Sequence, residues 1–326
     1  MAVLSLSLSL LPWHPPSSAP VAAASPADEA DAAAHGSALT LASQAPGEIS
    51  VPAVTGHPAY TVYTPGSLPG VAPSPVTLLV LHGMGGTGPE MAATVLPEAR
   101  AQGWTVIAPT IPYGDWRDPS QLAGEVLGLQ PQLATLLESV RAETGVAVGP
   151  RVLLFGFSRG AQAALRFAML YPDNVQAVVA CSAGTYTVPT ATMKTSAGAS
   201  ISVPLPYGVA DLEQRSGRGV DAARMSTVRF LIGVGANDNL EGDVPRQWDP
   251  FLGKDRVERA ERFAASLAAM GMPAQVVVVP DTGHELSAGM MTQVSSFLTE
   301  AASDLRAQIA AIPSVPGVSP AGRATS

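Results

Sequence analysis

The stretch that most constrains this chain is Val152-Leu153-Leu154-Phe155, followed at once by Gly156-Phe157-Ser158-Arg159-Gly160 and a helix-forming run over residues 161–171. A short continuous apolar run bounded by glycine reads as a buried strand, so the pentapeptide must turn strand into helix with almost no loop between them. Gly156 and Gly160 carry no Cβ and let the two elements approach closely, while Ser158 between them is held in a strained backbone conformation. Such a turn lifts a primary hydroxyl clear of the sheet edge. A serine that is to act as a nucleophile needs that exposure, together with an adjacent base and nearby backbone donors.

The rest of the chain repeats the alternation of short apolar runs and helical stretches. Residues 59–64 alternate and are expected near a sheet edge. Residues 76–81, 104–108, 151–155, 175–181, 228–234 and 275–279 read as buried strands. This pattern predicts an α/β fold: a mostly parallel, doubly wound sheet of about eight strands, helices on both faces and right-handed crossovers. Asp118 and Pro119 open a helix whose Leu122, Val126, Leu129, Leu133 and Val140 share one face, and Pro131 predicts a kink in it or a break into two. Residues 254–270 and 287–310 are further amphipathic helices, whereas 183–227 lack periodicity and are expected to form loops bordering the site.

A chain of 326 residues with 47% hydrophobic content has ample material for one large domain, here 51–310. The net charge of −8 and 13% charged residues leave no basic stripe for a phosphate backbone, which argues against nucleic acid as a partner. Cys181, the single cysteine, has no disulfide partner in the chain and reads as core. Residues 1–50 differ in composition, being apolar and serine-rich, then rich in Ala, Pro and Ser. Two readings fit: a degenerate secretory signal, whose apolar stretch lacks a preceding Lys or Arg, or a disordered extension of a cytoplasmic protein. The tail 311–326 reads as disordered, and no apolar run in the 51–310 domain is long enough to span a membrane. Oligomeric state is not legible.

Three further features complete the reading of Ser158. His82-Gly83-Met84-Gly85-Gly86 follows the strand 76–81, where a glycine-rich turn can aim a backbone N–H at a developing oxyanion; the same glycines also suit a plain strand-to-helix turn. Gly235-Ala236-Asn237-Asp238 places a carboxylate just after the strand 228–234, with Asp243 and Asp249 close enough in sequence to compete for the same role. Gly283-His284 follows the strand 275–279. His14 and His35 fall in the leader, His57 precedes the first strand and His82 belongs to the glycine turn, so His284 is the histidine that can complete a Ser, Asp, His order.

With these motifs in place, the chain resembles the α/β-hydrolase superfamily over residues 51–310. Tyr60-Thr61-Val62-Tyr63-Thr64-Pro65 leading into Leu81-His82-Gly83 resembles the branch of polyhydroxybutyrate depolymerase-like, feruloyl esterase-like and dienelactone hydrolase-like enzymes. Gly156-Phe157-Ser158 is also similar to carboxylesterases and acyl-thioesterases, although Arg159-Gly160-Ala161 stands where those commonly carry Gln and two glycines. The resemblance implies ester hydrolysis through an acyl-enzyme, with Ser158 as nucleophile, His284 as base and Asp238 as its orienting acid. The backbone N–H groups of Met84 and Arg159 would form the oxyanion hole, and neither metal nor organic cofactor is required. Thioester or peptide cleavage, peroxyacid formation and a binding role without catalysis are the alternatives. Tyr113, Trp116, Tyr186, Tyr207 and Trp248 are candidate walls for a small or polymeric ester, and ordinary loop packing accounts for them equally.

Overall fold

The computed structural model describes residues 42–43, 47–65, 74–272 and 274–311. Most of the leader expected over 1–50, and the tail beyond Ala311, lie outside them. Nine strands form one sheet: β1 (Ala42–Ser43), β2 (Glu48–Val51), β3 (Tyr60–Tyr63), β4 (Thr77–Leu81), β5 (Thr105–Pro109), β6 (Val152–Phe157), β7 (Val175–Cys181), β10 (Arg229–Gly235) and β11 (Ala274–Val279). A separate hairpin pairs β8 (Thr192–Lys194) with β9 (Ser200–Ser202). In the order β1-β2-β3-β5-β4-β6-β7-β10-β11, the six strands from β5 onward are parallel and the first three antiparallel.

Among the described residues the sheet already includes Ala42–Ser43 and Glu48–Val51, ahead of the expected domain start at residue 51. Glu48-Ile49-Ser50-Val51 alternates over one short strand only, too little to stand out from the leader's composition. Its addition carries β3 away from the edge, and all four β3 residues are buried. The true far edge is β11. It was expected to be buried, yet Val278 is 40% exposed, because β11 has a neighbour on one side only.

Successive side chains of β4 and β6 point into two opposite cores. Leu79, Leu81, Val152 and Leu154 face one, and Leu78, Val80, Leu153 and Phe155 face the other. The first is closed by α3 (Pro119–Thr144), α4 (Arg159–Leu170) and α8 (Arg256–Ala268), the second by α1 (Gly88–Ala93), α2 (Leu96–Gln102) and α9 (Ala288–Ala310). Asp118 caps α3 by accepting from Ser120 N–H at 2.8 Å. That helix runs unbroken past Pro131, so of the kink or break expected there the break does not occur. The segment 183–227 holds the hairpin and two short helices, α5 (Leu212–Ser216) and α6 (Ala222–Met225), where only loops were expected; α7 (Asp249–Leu252) follows β10. No helix among the described residues is long and apolar enough to cross a membrane.

Candidate active site

The parallel strands β4, β6 and β10 all end on the same side of the sheet, and their loops meet there. At the end of β6, Ser158 takes φ 54° and ψ −112°, a left-handed backbone that non-glycine residues avoid. Two contacts enforce it. Ser158 N–H donates to Cys181 O on β7 at 2.8 Å, and α4 starts at the next residue. The close approach of strand, helix and β4 is possible only through glycine: a Cβ on Gly160 would lie 1.9 Å from Leu81 O, and one on Gly156 would lie 2.3 Å from Gly160 O.

At the end of β10, Gly235 plays the same part for a second pair of loops. Its missing Cβ leaves room for the carbonyl of Thr282, which a methyl group would approach to 2.2 Å. The two backbones are then tied by Ala236 N–H to Val279 O and Asn237 N–H to Thr282 O, each at 2.9 Å. This junction brings Asp238 and His284 together across the end of the sheet. His284 Nδ1 and Asp238 Oδ2 are 2.8 Å apart, and His284 Nε2 and Ser158 Oγ are 3.1 Å apart. Phe157 packs its ring on the imidazole, with centroids 4.9 Å apart. The line Asp238, His284, Ser158 can carry a proton from the hydroxyl to the imidazole while the carboxylate faces the other ring nitrogen.

The rival carboxylates are used elsewhere. Asp249 pairs with Arg246 and Arg259, and the half-exposed Asp243 side chain lies 3.6 Å from Arg256 Nη1. Arg256 was not anticipated from the sequence. It is the first residue of α8, placed by the Asp255 N-cap, and Nη1 donates to Asp238 Oδ1 at 2.8 Å while Nη2 donates to Asp243 O at 3.1 Å. Burial alone would raise the Asp238 carboxyl. The hydrogen bond with His284 and the charge of Arg256 outweigh it and hold the group below its ordinary range.

Gly83 lies directly against the serine, since a Cβ there would sit 3.3 Å from Ser158 Cβ. Its loop is braced by buried His82, whose Nδ1 donates to Gly83 O at 2.6 Å and whose Nε2 accepts from Ile111 N–H at 2.8 Å. Met84 and Arg159 both line the cleft at Ser158. The N–H of Arg159 belongs to the first turn of α4, where helical amides have no acceptor within the helix.

That cleft has a volume of about 260 Å³. Of the aromatic residues expected around it, Trp116 lines it and Tyr113, Tyr186, Tyr207 and Trp248 do not. Tyr186 is buried in a stack on Phe263, Tyr207 and Trp248 pack on each other, and Tyr113 lies beneath the Arg159 guanidinium. Their loops fold back onto helices, so the rings complete the core. The polar lining residues Gln162, Thr185 and Arg117 carried no motif that would have marked them. Among the described residues no three His, Cys, Asp or Glu side chains gather to hold a metal ion.

A family model described as Alpha/beta hydrolase family matches residues 78–295, more than half of the chain. The chain belongs to the alpha/beta hydrolase family. No curated protein matches it by sequence. Among solved structures this hydrolase-family chain is similar to poly(aspartic acid) hydrolase-1 from Sphingomonas sp. KT-1, at 23% identity over 78% of this chain and 99% of that one, with a TM-score of 0.56. It is similar to a poly(3-hydroxybutyrate) depolymerase from Bordetella parapertussis at 22% identity, covering 79% and 92%, with a TM-score of 0.56. It is also similar to Zea mays acyl-protein thioesterase 2 at 18% identity, covering 76% and 100%, with a TM-score of 0.51. At these identities the likeness is one of fold, which agrees with the family match.

Proposed function

We propose that this protein is a serine hydrolase that cleaves carboxylic esters through an acyl-enzyme. The observation that carries this reading is the hydrogen-bonded line from Asp238 through His284 to the strained Ser158. Ser158 Oγ attacks the ester carbonyl as His284 Nε2 takes its proton, and the imidazolium formed is stabilised by Asp238 Oδ2. The backbone N–H groups of Arg159 and Met84 receive the oxyanion, each contributing on the order of 3 kcal/mol to the transition state. His284 then returns the proton to the leaving alkoxide, and water repeats the attack on the acyl-enzyme with the same groups.

The cleft suits short substrates. At about 260 Å³ it is smaller than the roughly 300–1,000 Å³ typical of pockets for drug-sized ligands, which favours a short acyl group over a long chain. The test is labelling with a fluorophosphonate followed by peptide mapping, together with turnover of short p-nitrophenyl esters by wild type and Ser158→Ala. Label on the Ser158 peptide and loss of turnover in a folded variant are expected. Undiminished turnover in Ser158→Ala would refute the assignment. A matched ester, thioester and amide series then ranks the acyl chemistries open to the same three residues.

A further inference from the structure

The cleft beside Ser158 is lined by three arginines, Arg117, Arg159 and Arg256, and by one acidic residue, Asp243. Such a lining is unexpected in a chain of net charge −8. Arg256 is taken by Asp238 and Asp243, and Arg159 by Glu125, which leaves Arg117 without a carboxylate partner among the described residues. The neighbouring carboxylates of its own loop, Asp115 and Asp118, accept local hydrogen bonds and form no ion pair with its guanidinium. Asp115 Oδ1 accepts from Arg117 N–H at 2.9 Å, and Asp118 Oδ1 accepts from Ser120 N–H at 2.8 Å.

Two features make Arg117 a prepared receptor. Its guanidinium lies over the Trp116 ring, 4.2 Å from the centroid, so the exposed side chain has a platform that restricts it before any ligand arrives. Beneath the cleft floor, α4 presents Arg159, Gln162 and Arg166 on one buried face, at spacings of three and four residues. Arg166 bonds Thr187 Oγ1 at 3.0 Å and has no carboxylate partner among the described residues, and Arg159 Nε and Arg166 Nη2 are buried donors with no acceptor. Burial, and then the charge of Arg159, press the Arg166 guanidinium down to about 9, while Glu125 acts the other way. Arg117, Arg159, Arg166 and Arg256 are interleaved with the carboxylates of Glu125, Asp238 and Asp243, and Asp115 and Asp118 flank Arg117 in its own loop. Of the arginines that line the cleft, Arg117 is the one with no carboxylate partner among the described residues, so its guanidinium is the one open to an anion.

We infer that the substrate is an ester carrying a carboxylate close to the scissile bond, and that Arg117 on Trp116 is the specificity-determining residue that binds this carboxylate. The inference rests on the ester hydrolase reading above and names its substrate class. Arg117 pairs with the substrate's fixed charge and takes no part in bond breaking.

Two matched pairs test it, one for each side of the ester: monoethyl glutarate against ethyl pentanoate, and 3-acetoxybenzoate against its methyl ester. For each pair the readout is the ratio of kcat/KM, carboxylate over neutral, in wild type and Arg117→Met, which keeps the apolar stem over Trp116. A ratio above one in wild type that falls about tenfold or more in Arg117→Met is expected for at least one pair, as the loss of one charge-assisted hydrogen bond requires. The fall should shrink in high salt. Ratios that are the same in both proteins, or a wild type that prefers the neutral member of both pairs, overturn the inference and leave the ester hydrolase reading standing. Failure of all four esters together with an unlabelled Ser158 defeats that reading, and this inference with it.

Discussion

Arg256 Nη1 donates to Oδ1 of Asp238 at 2.8 Å, while the other carboxylate oxygen, Oδ2, is the one that faces His284. One carboxylate is thus shared between a permanent cation and an imidazole. The cation keeps Asp238 ionised, and it also draws charge away from the oxygen that must steady an imidazolium. Replacing it in Arg256→Met should let Asp238 hold a protonated His284 more tightly. The acid limb of the kcat/KM profile is expected to move to higher pH, alongside a stability loss of about 1–3 kcal/mol from the unpaired buried oxygen. An acid limb that does not move would reduce Arg256 to a packing role.

Glycines that look alike in the sequence should respond oppositely to alanine. A Cβ at Gly160 meets Leu81 O at 1.9 Å, backbone against backbone, with no side chain able to yield. Gly160→Ala is expected to cost about 4 kcal/mol or more, or to prevent folding. Gly124 lies on the exposed face of α3 with nothing near its Cβ position, so Gly124→Ala should stabilise by about 0.5–1 kcal/mol. Urea midpoints of the two variants decide the matter. A Gly160→Ala protein with the wild-type midpoint would mean that the elbow is looser than its contacts indicate.

Such contrasts mark how far the sequence could be read. The glycine elbow and the parallel strands are local patterns, each written in a few consecutive residues, and Ser158, Asp238 and His284 each follow one of those strands. The alpha/beta hydrolase fold follows from them. What lay beyond reach depends on which surfaces meet. β2 is four residues inside a low-complexity approach, β11 looks buried because valine repeats do not reveal a missing neighbour, and Arg256 reaches Asp238 from a helix that begins 18 positions later. Aromatic residues mislead for a related reason. A tyrosine in a loop such as Tyr186 can face a cleft or the core, and only the path of its backbone distinguishes the two.

Glu143 clamps the end of α3 to β3. The Tyr60 hydroxyl donates to Glu143 Oε2, and His57 Nε2 lies 3.0 Å from Oε1. Burial raises the Glu143 carboxyl, the bonds from Tyr60 and His57 lower it, and the net position is below the ordinary value. A carboxyl depressed in the folded state contributes stability that is complete above its unfolded pKa of about 4.3 and fades as pH falls through the folded value. Glu143→Gln should therefore be less stable than wild type at pH 7, by about 1 kcal/mol, with the gap closing below about pH 4. Urea unfolding at several pH values measures it. A gap that is constant with pH would show that the clamp acts through packing alone.

His82 offers a test of the proposed oxyanion site without touching the proposed reacting groups. Burial is the largest influence on its imidazole and holds it below the ordinary histidine range, so the neutral ring keeps one donor for Gly83 O and one acceptor for Ile111 N–H. Those two bonds fix the loop that carries Met84 against Ser158. In His82→Ala the loop loses its brace, and the Met84 amide should no longer meet the oxyanion at the required angle. Because that amide is proposed to act on the transition state, the loss should fall on kcat, by about 10²-fold or more, with KM nearly unchanged. A rise in KM at constant kcat would instead assign the loop to binding substrate in its ground state, and the second oxyanion donor would have to be sought elsewhere.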